Sequence, residues 1–347
     1  MKKLSVVSLN LRFIRIPLLL LFSSIVFISY SLLRSIPPIN LDIKTTAFLL
    51  SVQNSIHSPP NHIKTFSLVQ TQKISKDKTV SVSKVNQSST ISRAVPLINK
   101  PAAAPGEKVE ISNLTSLSLD TESYSKAPEF LTKDFSVLIL HTHTTESYTP
   151  SSKFTYKPTD TDRTTDENYN VVRIGKHIES VLRKNGIKVY HDTSVNDYPG
   201  YNGSYNRSYK VAQNQLKKNP DIKIILDIHR DAIEGKNGEK IKYTCTVNSQ
   251  NAAKLMFVVG SNQSGLSHES WGENMKFAYT LQQYINSVYP GLMRPINFRS
   301  QRFNQQLAPG AIIVEVGTNG NTMDEAILGA ECFAECLTDY INTQKRM

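Results

Sequence analysis

His141, His143 and Glu146 stand close together where the apolar run Val137-Leu138-Ile139-Leu140 ends. Consecutive apolar residues without polar alternation suit a strand buried on both faces. Two imidazoles and a carboxylate at the tip of such a strand are the donor types of a metal site, because the strand holds them rigidly. The pattern recurs twice. Ile222-Lys-Ile-Ile-Leu-Asp-Ile-His229 leads into Arg230 and Asp231, and Ile312-Ile313-Val314 carries Glu315 ahead of Val316-Gly317. A carboxylate inside an apolar strand is costly unless it is paired, metal-bound or protonated. Fold requirements alone do not account for Glu315.

Two histidines, a carboxylate and a water form a common catalytic zinc set. His141, Glu146 and His229 are the ligands this reading selects, with Glu315 as the catalytic carboxylate. Bound zinc would bring its water's pKa toward ~7 and polarise a carbonyl. Glu315 would take the water's proton and pass it to a leaving amine, which is amide hydrolysis without a covalent intermediate. His143 is the alternative to His141, and Glu167, at the mouth of the first helix, is the alternative to Glu146. Asp227 and Asp231 read as supporting or loop residues. Arg230 reads as pairing with a carboxylate or meeting substrate, while Arg294, Arg299 and Arg302 fall in a loop that is either solvated or holds an anionic substrate. His177 and His191 have no evident partner and read as structural.

These groups must be brought together by the elements that carry them. Apolar runs alternate with amphipathic stretches from about Ala127 onward. Helices are expected over Tyr169–Lys184 (capped by Thr165 or Asp166), Ser208–Lys218, Trp271–Val288 and from a Thr322 cap to about Thr343. Beyond the three runs above, strands are expected over Ile187–Tyr190, Tyr243–Val247 and Lys254–Gly260. The alternation predicts an α/β fold, with a mostly parallel central sheet covered by helices on both faces. In an open parallel sheet the carboxyl ends of strands share one edge, where distant residues converge on a crevice.

The rest of the chain is different in kind. Met1 to Arg15 is basic, and Ile16 to Leu33 is uncharged and apolar. At ~1.5 Å per residue the apolar run spans about 27 Å, close to a bilayer's hydrocarbon core. Residues 1–34 therefore read as a cytoplasmic basic flank and an uncleaved transmembrane anchor, with everything downstream extracytoplasmic. Residues 35–126, rich in Ser, Thr, Lys, Asn and Pro, read as a disordered tether, and 127–347 as the catalytic domain. The 347-residue chain has a net charge of +11, which favours an acidic partner such as anionic lipid or wall polymer. No recognised nucleic-acid motif accompanies that charge, so nucleic acid is not expected. Three cysteines imply no disulfide framework, and Cys332 and Cys336 read as sharing a helix face. No GxSxG spacing supports a serine hydrolase.

Several motifs, in order, carry a resemblance. HTHTTESY, Tyr156-Lys157-Pro158, Arg163-Thr164 leading into Tyr169-Asn-Val-Val-Arg-Ile-Gly175, ILDIHRDA, FVVGSN and FNQQLAPGAIIVEVGTNGNT resemble the stage II sporulation protein P family over roughly residues 130 to 340. That family is similar in fold to zinc-dependent N-acetylmuramoyl-L-alanine amidases. The resemblance implies a membrane-anchored peptidoglycan hydrolase that cuts the muramoyl–L-alanine amide, and stem-peptide cross-links as well. It implies action with the sporulation proteins D and M on septal wall during engulfment. It supports His141, Glu146 and His229 as zinc ligands and Glu315 as the catalytic carboxylate. In the wider amidase family the carboxylate ligand opens the first helix, here the Asp166-Glu167 region, which keeps Glu167 as the rival of Glu146. The competing expectation is a non-catalytic wall- or partner-binding protein of the same fold.

Overall fold

Period-two alternation along buried strands decides which face of a sheet each side chain serves. In the computed structural model, which describes residues 108–346, that alternation organises the whole fold. The elements in order are β1 (Ile111–Asn113), β2 (Ser136–Leu140), α1 (Val171–Lys184), β3 (Val189–His191), α2 (Ser204–Lys218), β4 (Ile222–Asp231), β5 (Thr244–Val247), β6 (Gln250–Ala253), β7 (Leu255–Gly260), α3 (Trp271–Val288), β8 (Ile296–Arg299), β9 (Gly310–Thr318) and α4 (Met323–Lys345).

The central sheet has seven strands in the order β1-β8-β7-β9-β4-β2-β3, and β5 and β6 form a separate antiparallel hairpin. Neighbours pair in parallel except β7 with β9, which are antiparallel. The expected mostly parallel α/β sheet is present, made of two parallel blocks that meet head to tail at β7–β9. One face carries Val137, Ile139, Ile224, Leu226, Ile228, Ile312 and Val314, packed with Ile174 and Ile178 of α1, Phe277 and Leu281 of α3, and Phe333 and Leu337 of α4. The other face carries Leu138, Leu140, Ile225 and Ala311, packed with Ala212 of α2. Met256, Val258 and Ile313 continue this second face, with Phe303 against them. Cys332 and Cys336 form no disulfide among the described residues and are buried in the main core on α4.

Some boundaries differ from expectation for local reasons. Asn170, not Thr165 or Asp166, caps α1, its side chain accepting from Val172 N, because Asp166 to Tyr169 closes a turn of its own. α4 begins with the expected Thr322 cap, completed as a reciprocal capping box with Glu325. β1 lies within the stretch read as tether, so the fold reaches back at least to Ile111, where it pairs with Ile296. The expected anchor and most of the expected tether lie outside the described residues. Among the described residues no helix is long and apolar enough to cross a membrane.

Candidate active site

The site stands on the face shared by Leu138, Ile225 and Ala311, toward the carboxyl ends of β4 and β9. His229 and Glu315 are registered partners across the β4–β9 pair, so both side chains emerge on the same face. Two residues earlier on β4, Asp227 shares that face. Its Oδ1 accepts from Thr142 N at 2.8 Å and its Oδ2 from Thr142 Oγ1 at 2.6 Å. Asp227 thereby ties the loop after β2 to β4. His229 Nε2 lies 3.0 Å from Asp227 Oδ1, without the alignment of a hydrogen bond.

Glu146 approaches from the loop that follows β2. Its Oε2 lies 3.5 Å from His229 Nδ1 and accepts from Arg230 N at 3.2 Å. Its Oε1 lies 3.5 Å from Arg163 Nη2. His143 completes the cluster, with its ring edge-on to His229 at 5.2 Å between centroids. The other side of His143 stacks on Tyr201 at 4.6 Å, its Nε2 lies 3.2 Å from Tyr201 Oη, and its Nδ1 lies 3.4 Å from Ser204 Oγ.

Charge follows from these contacts. Burial works against an ionised Glu146, but Arg230 and His229 outweigh it and hold the carboxyl well below the usual range. Burial likewise disfavours protonated His229, and Asp227 with Glu146 reverses that and raises it well above an ordinary imidazole. His143 is lowered to about 4 by burial, against the opposing pull of Glu146, so it is a neutral imidazole at neutral pH, with one ring nitrogen able to act as a ligand. Glu315 is pushed up to about 8, chiefly by burial, with Glu146 and Asp231 adding to the effect and His229 opposing it. Its Oε2 is buried and has no hydrogen-bond partner among the described residues. This is a carboxyl kept ready to exchange a proton near neutral pH.

His141 is not part of this group, which corrects the expected ligand set. It continues the alternation of Val137 and Ile139 and turns to the opposite face, toward α1. There its Nδ1 bonds to Ile228 O at 3.1 Å and its Nε2 to His191 Nε2 at 2.9 Å. His191 Nδ1 lies 3.0 Å from Glu179 Oε2, so His191, read as partnerless, is the middle of a His-His-Glu chain whose Glu179 end reaches the half-buried surface of α1. Gly175 on α1 makes room for it, since a Cβ there would come within 2.7 Å of His191 Nε2. His177, also read as partnerless, pairs with Glu331.

Glu167, Arg230 and Arg302 also take up roles away from the reacting groups. Glu167 pairs with Lys176 Nζ at 2.6 Å on the exposed rim of α1, and not with any of these donors. Arg230 does not present its guanidinium to a substrate. Its Nε donates to Ser147 O and its Nη2 to Asp162 O, both at 2.9 Å, which pins the loop that delivers Glu146. Arg302 lies at the wrong edge of the sheet. β7 runs against β9, so the end of β7, where Ser261 N donates to Gln301 O, is level with the start of β9. There Arg302 Nη1 donates to Ser267 O at 2.9 Å.

Sequence reasoning missed Tyr201, Ser204, Arg163 and Asp197. Arg163 spans Glu146 and Asp197, reaching Asp197 Oδ2 at 2.5 Å, and its guanidinium lies 4.9 Å from the Tyr201 ring centre. Tyr201, Arg163 and Asp197 come from irregular loops whose periodicity carries no signal, and Ser204 opens α2, four residues before the start expected at Ser208. As they stand, no three His, Cys, Asp or Glu side chains among the described residues are placed to hold a metal ion. His143, Glu146 and His229 nonetheless match a zinc set in donor type and in adjacency. His143 is engaged with Tyr201 and Glu146 with Arg163 and Arg230, contacts that an ion would compete with, while the buried His229 Nε2 has no hydrogen-bond partner among the described residues.

Comparison with known proteins agrees with the motifs. The family model described as Stage II sporulation protein P matches residues 37–338. A protein of Bacillus subtilis (strain 168), named Stage II sporulation protein P, is 28% identical over 221 residues, covering 60% of this chain and 52% of the relative. The match thus spans about half the length of that relative. Among solved structures, the N-acetylmuramoyl-L-alanine amidase AmiC2 of Nostoc punctiforme is similar over 61% of this chain and 99% of its own, at 13% identity and a TM-score of 0.33. An N-acetylmuramoyl-L-alanine amidase from Clostridium difficile 630 is similar over 61% and 99%, at 14% identity and a TM-score of 0.35.

Proposed function

Since the chain belongs to the stage II sporulation protein P family, we propose that it is a peptidoglycan hydrolase of sporulation that cleaves the N-acetylmuramoyl–L-alanine amide, and stem-peptide cross-links as a second activity. The observation that carries this reading is the pairing of Glu315 with His229 on one sheet face, with Glu146 and His143 alongside. A zinc ion would be held by His143, Glu146 and His229, and when bound it would supply a more acidic water and a polarised carbonyl.

The chain's own groups do the rest. Asp227, fixed by two bonds from Thr142, stands beside His229 and limits its orientation. Arg163 and the Arg230 backbone N–H hold Glu146 as a carboxylate. In its carboxylate form Glu315 takes a proton from the attacking water at its unpartnered Oε2 and returns it to the nitrogen that leaves as an amine. The N-terminal segment would anchor the chain in the membrane, with this domain on the wall side and the sporulation proteins D and M as partners.

The test is digestion of purified wall sacculi by full-length protein, with metal analysis and with products read by mass spectrometry. New amino termini at L-alanine support the amidase reading, and opened cross-links support the second activity. Undiminished digestion by protein stripped of metal with a chelator would overturn the zinc assignment.

A further inference from the structure

α2 covers the Glu315 face of the sheet only at the β4–β2–β3 side, through Ala212 against Leu138 and Ile225. On the other side of Glu315 that face leads into a groove of about 830 Å³. The register shows the continuity. Met256 of β7 is the antiparallel partner of Glu315, so their side chains share a face and are neighbours. Asn297 of β8 pairs with Val258, and Ser112 of β1 pairs with Asn297, which extends the same face outward. Met256, Asn297 and Ser112 all line the groove.

Its lining has a definite charge. Lys108, Lys254 and Arg294 line it against one acid, Glu110. Arg294 is partly neutralised by Asp231 at 2.8 Å and lies over the half-exposed Tyr243 ring at 4.8 Å. The structure shows no salt bridge from Lys108 or Lys254 to any described residue. Two lining residues, Gln282 and Asn297, each hold a buried side-chain oxygen with no hydrogen-bond partner among the described residues. Uncommitted ammonium groups beside spare acceptors suit a ligand that offers carboxylates and amide N–H groups together.

We propose that this groove binds the carboxylate-bearing peptide portion of the substrate, leading it from the scissile amide at Glu315 toward Lys254 and Lys108. This rests on the hydrolase reading above and deepens it by fixing the direction in which the substrate lies. The peptide runs over β7, β8 and β1.

The test uses the full-length, metal-loaded Glu315→Gln protein, which binds without cutting. Calorimetric titration compares a soluble muramoyl peptide bearing free carboxylates with the same molecule fully amidated. The free acid should bind about tenfold more tightly, the size of a charge-assisted contact. Lys254→Ala should erase most of that difference, Lys254→Arg should retain it, and Lys254→Glu should invert it. Equal binding of the two probes, or a preference that survives in Lys254→Ala and in a Lys108→Ala/Lys254→Ala double variant, overturns the proposal. Binding of neither probe, joined with intact sacculi in the wild-type assay, would instead remove the hydrolase reading on which it rests.

Discussion

Glu315→Gln separates the chemistry from the fold. The substitution keeps volume and removes only the ability to exchange a proton. Loss of a general base costs about 10²–10⁴ in rate, so wall digestion should fall by at least ~100-fold while zinc content is unchanged. The same residue has a stability signature in metal-free protein. Its carboxyl moves from the ordinary 4.5 to about 8 on folding, with burial the main cause. Between those values the native state keeps a proton that the unfolded chain has released, so stability falls as pH rises through this window and is level beyond it. At ~1.4 kcal/mol per tenfold shift the ceiling is about 5 kcal/mol, and the residue's partial exposure lowers the working figure to about 2–3 kcal/mol. Urea unfolding of chelator-treated protein at pH 5 and pH 8 measures it. Wild type should lose that amount between the two pH values relative to Glu315→Gln, whose amide does not titrate. Parallel pH profiles for the two proteins, or digestion by the variant within tenfold of wild type, would refute the assignment of Glu315.

The histidine correction is tested by a pair: His143→Ala should lose stoichiometric zinc, while His141→Ala should keep it and lose about 2–4 kcal/mol of stability, because His191 is left buried beside a cavity. Metal content and denaturation midpoints read both. Gly175→Ala should destabilise by about 1–2 kcal/mol, since overpacking against His191 and His141 exceeds the gain in helix propensity of about 1 kcal/mol; a more stable variant would contradict the close packing. Thr322→Ala should cost about 1 kcal/mol by removing the α4 cap, measured by thermal unfolding. Burial opposes ionised Glu325, but Lys242, Asn321 and the Thr322 backbone outweigh it and lower its carboxyl below the ordinary range. The Glu325 contribution is therefore present above the unfolded carboxyl's pKa and lost as pH falls through the lowered one. Glu325→Gln should flatten that acid limb.

Much of the scaffold was legible because strand and helix patterns are local. Four apolar residues before His141 suffice to mark β2, and Thr322 three residues ahead of Glu325 marks the start of α4. The short strands β1, β6 and β8 were not legible. Ile111–Asn113 and Gln250–Ala253 have no apolar run, and only pairing to neighbours makes them strands. The antiparallel junction β7–β9 was equally hidden, since nothing within Leu255–Gly260 records the direction of its partner.

In the site, residue types alone carry the proposed chemistry: a carboxylate embedded in Ile313-Val314-Glu315-Val316 and an imidazole ending an apolar strand have few other uses. What the chain could not say was which imidazole joins them. His141 and His143 are both odd-numbered and both follow the same strand, so alternation alone puts them on one face. The choice is made where β2 ends: His141 continues the strand into the α1 core, while the turn after it swings His143 across to His229. That turn is held by Asp227, Asp197 and Asn196, which come from distant parts of the chain. Composition and local pattern set which groups are present, and the long-range hydrogen bonds that fold the loops set which of them meet.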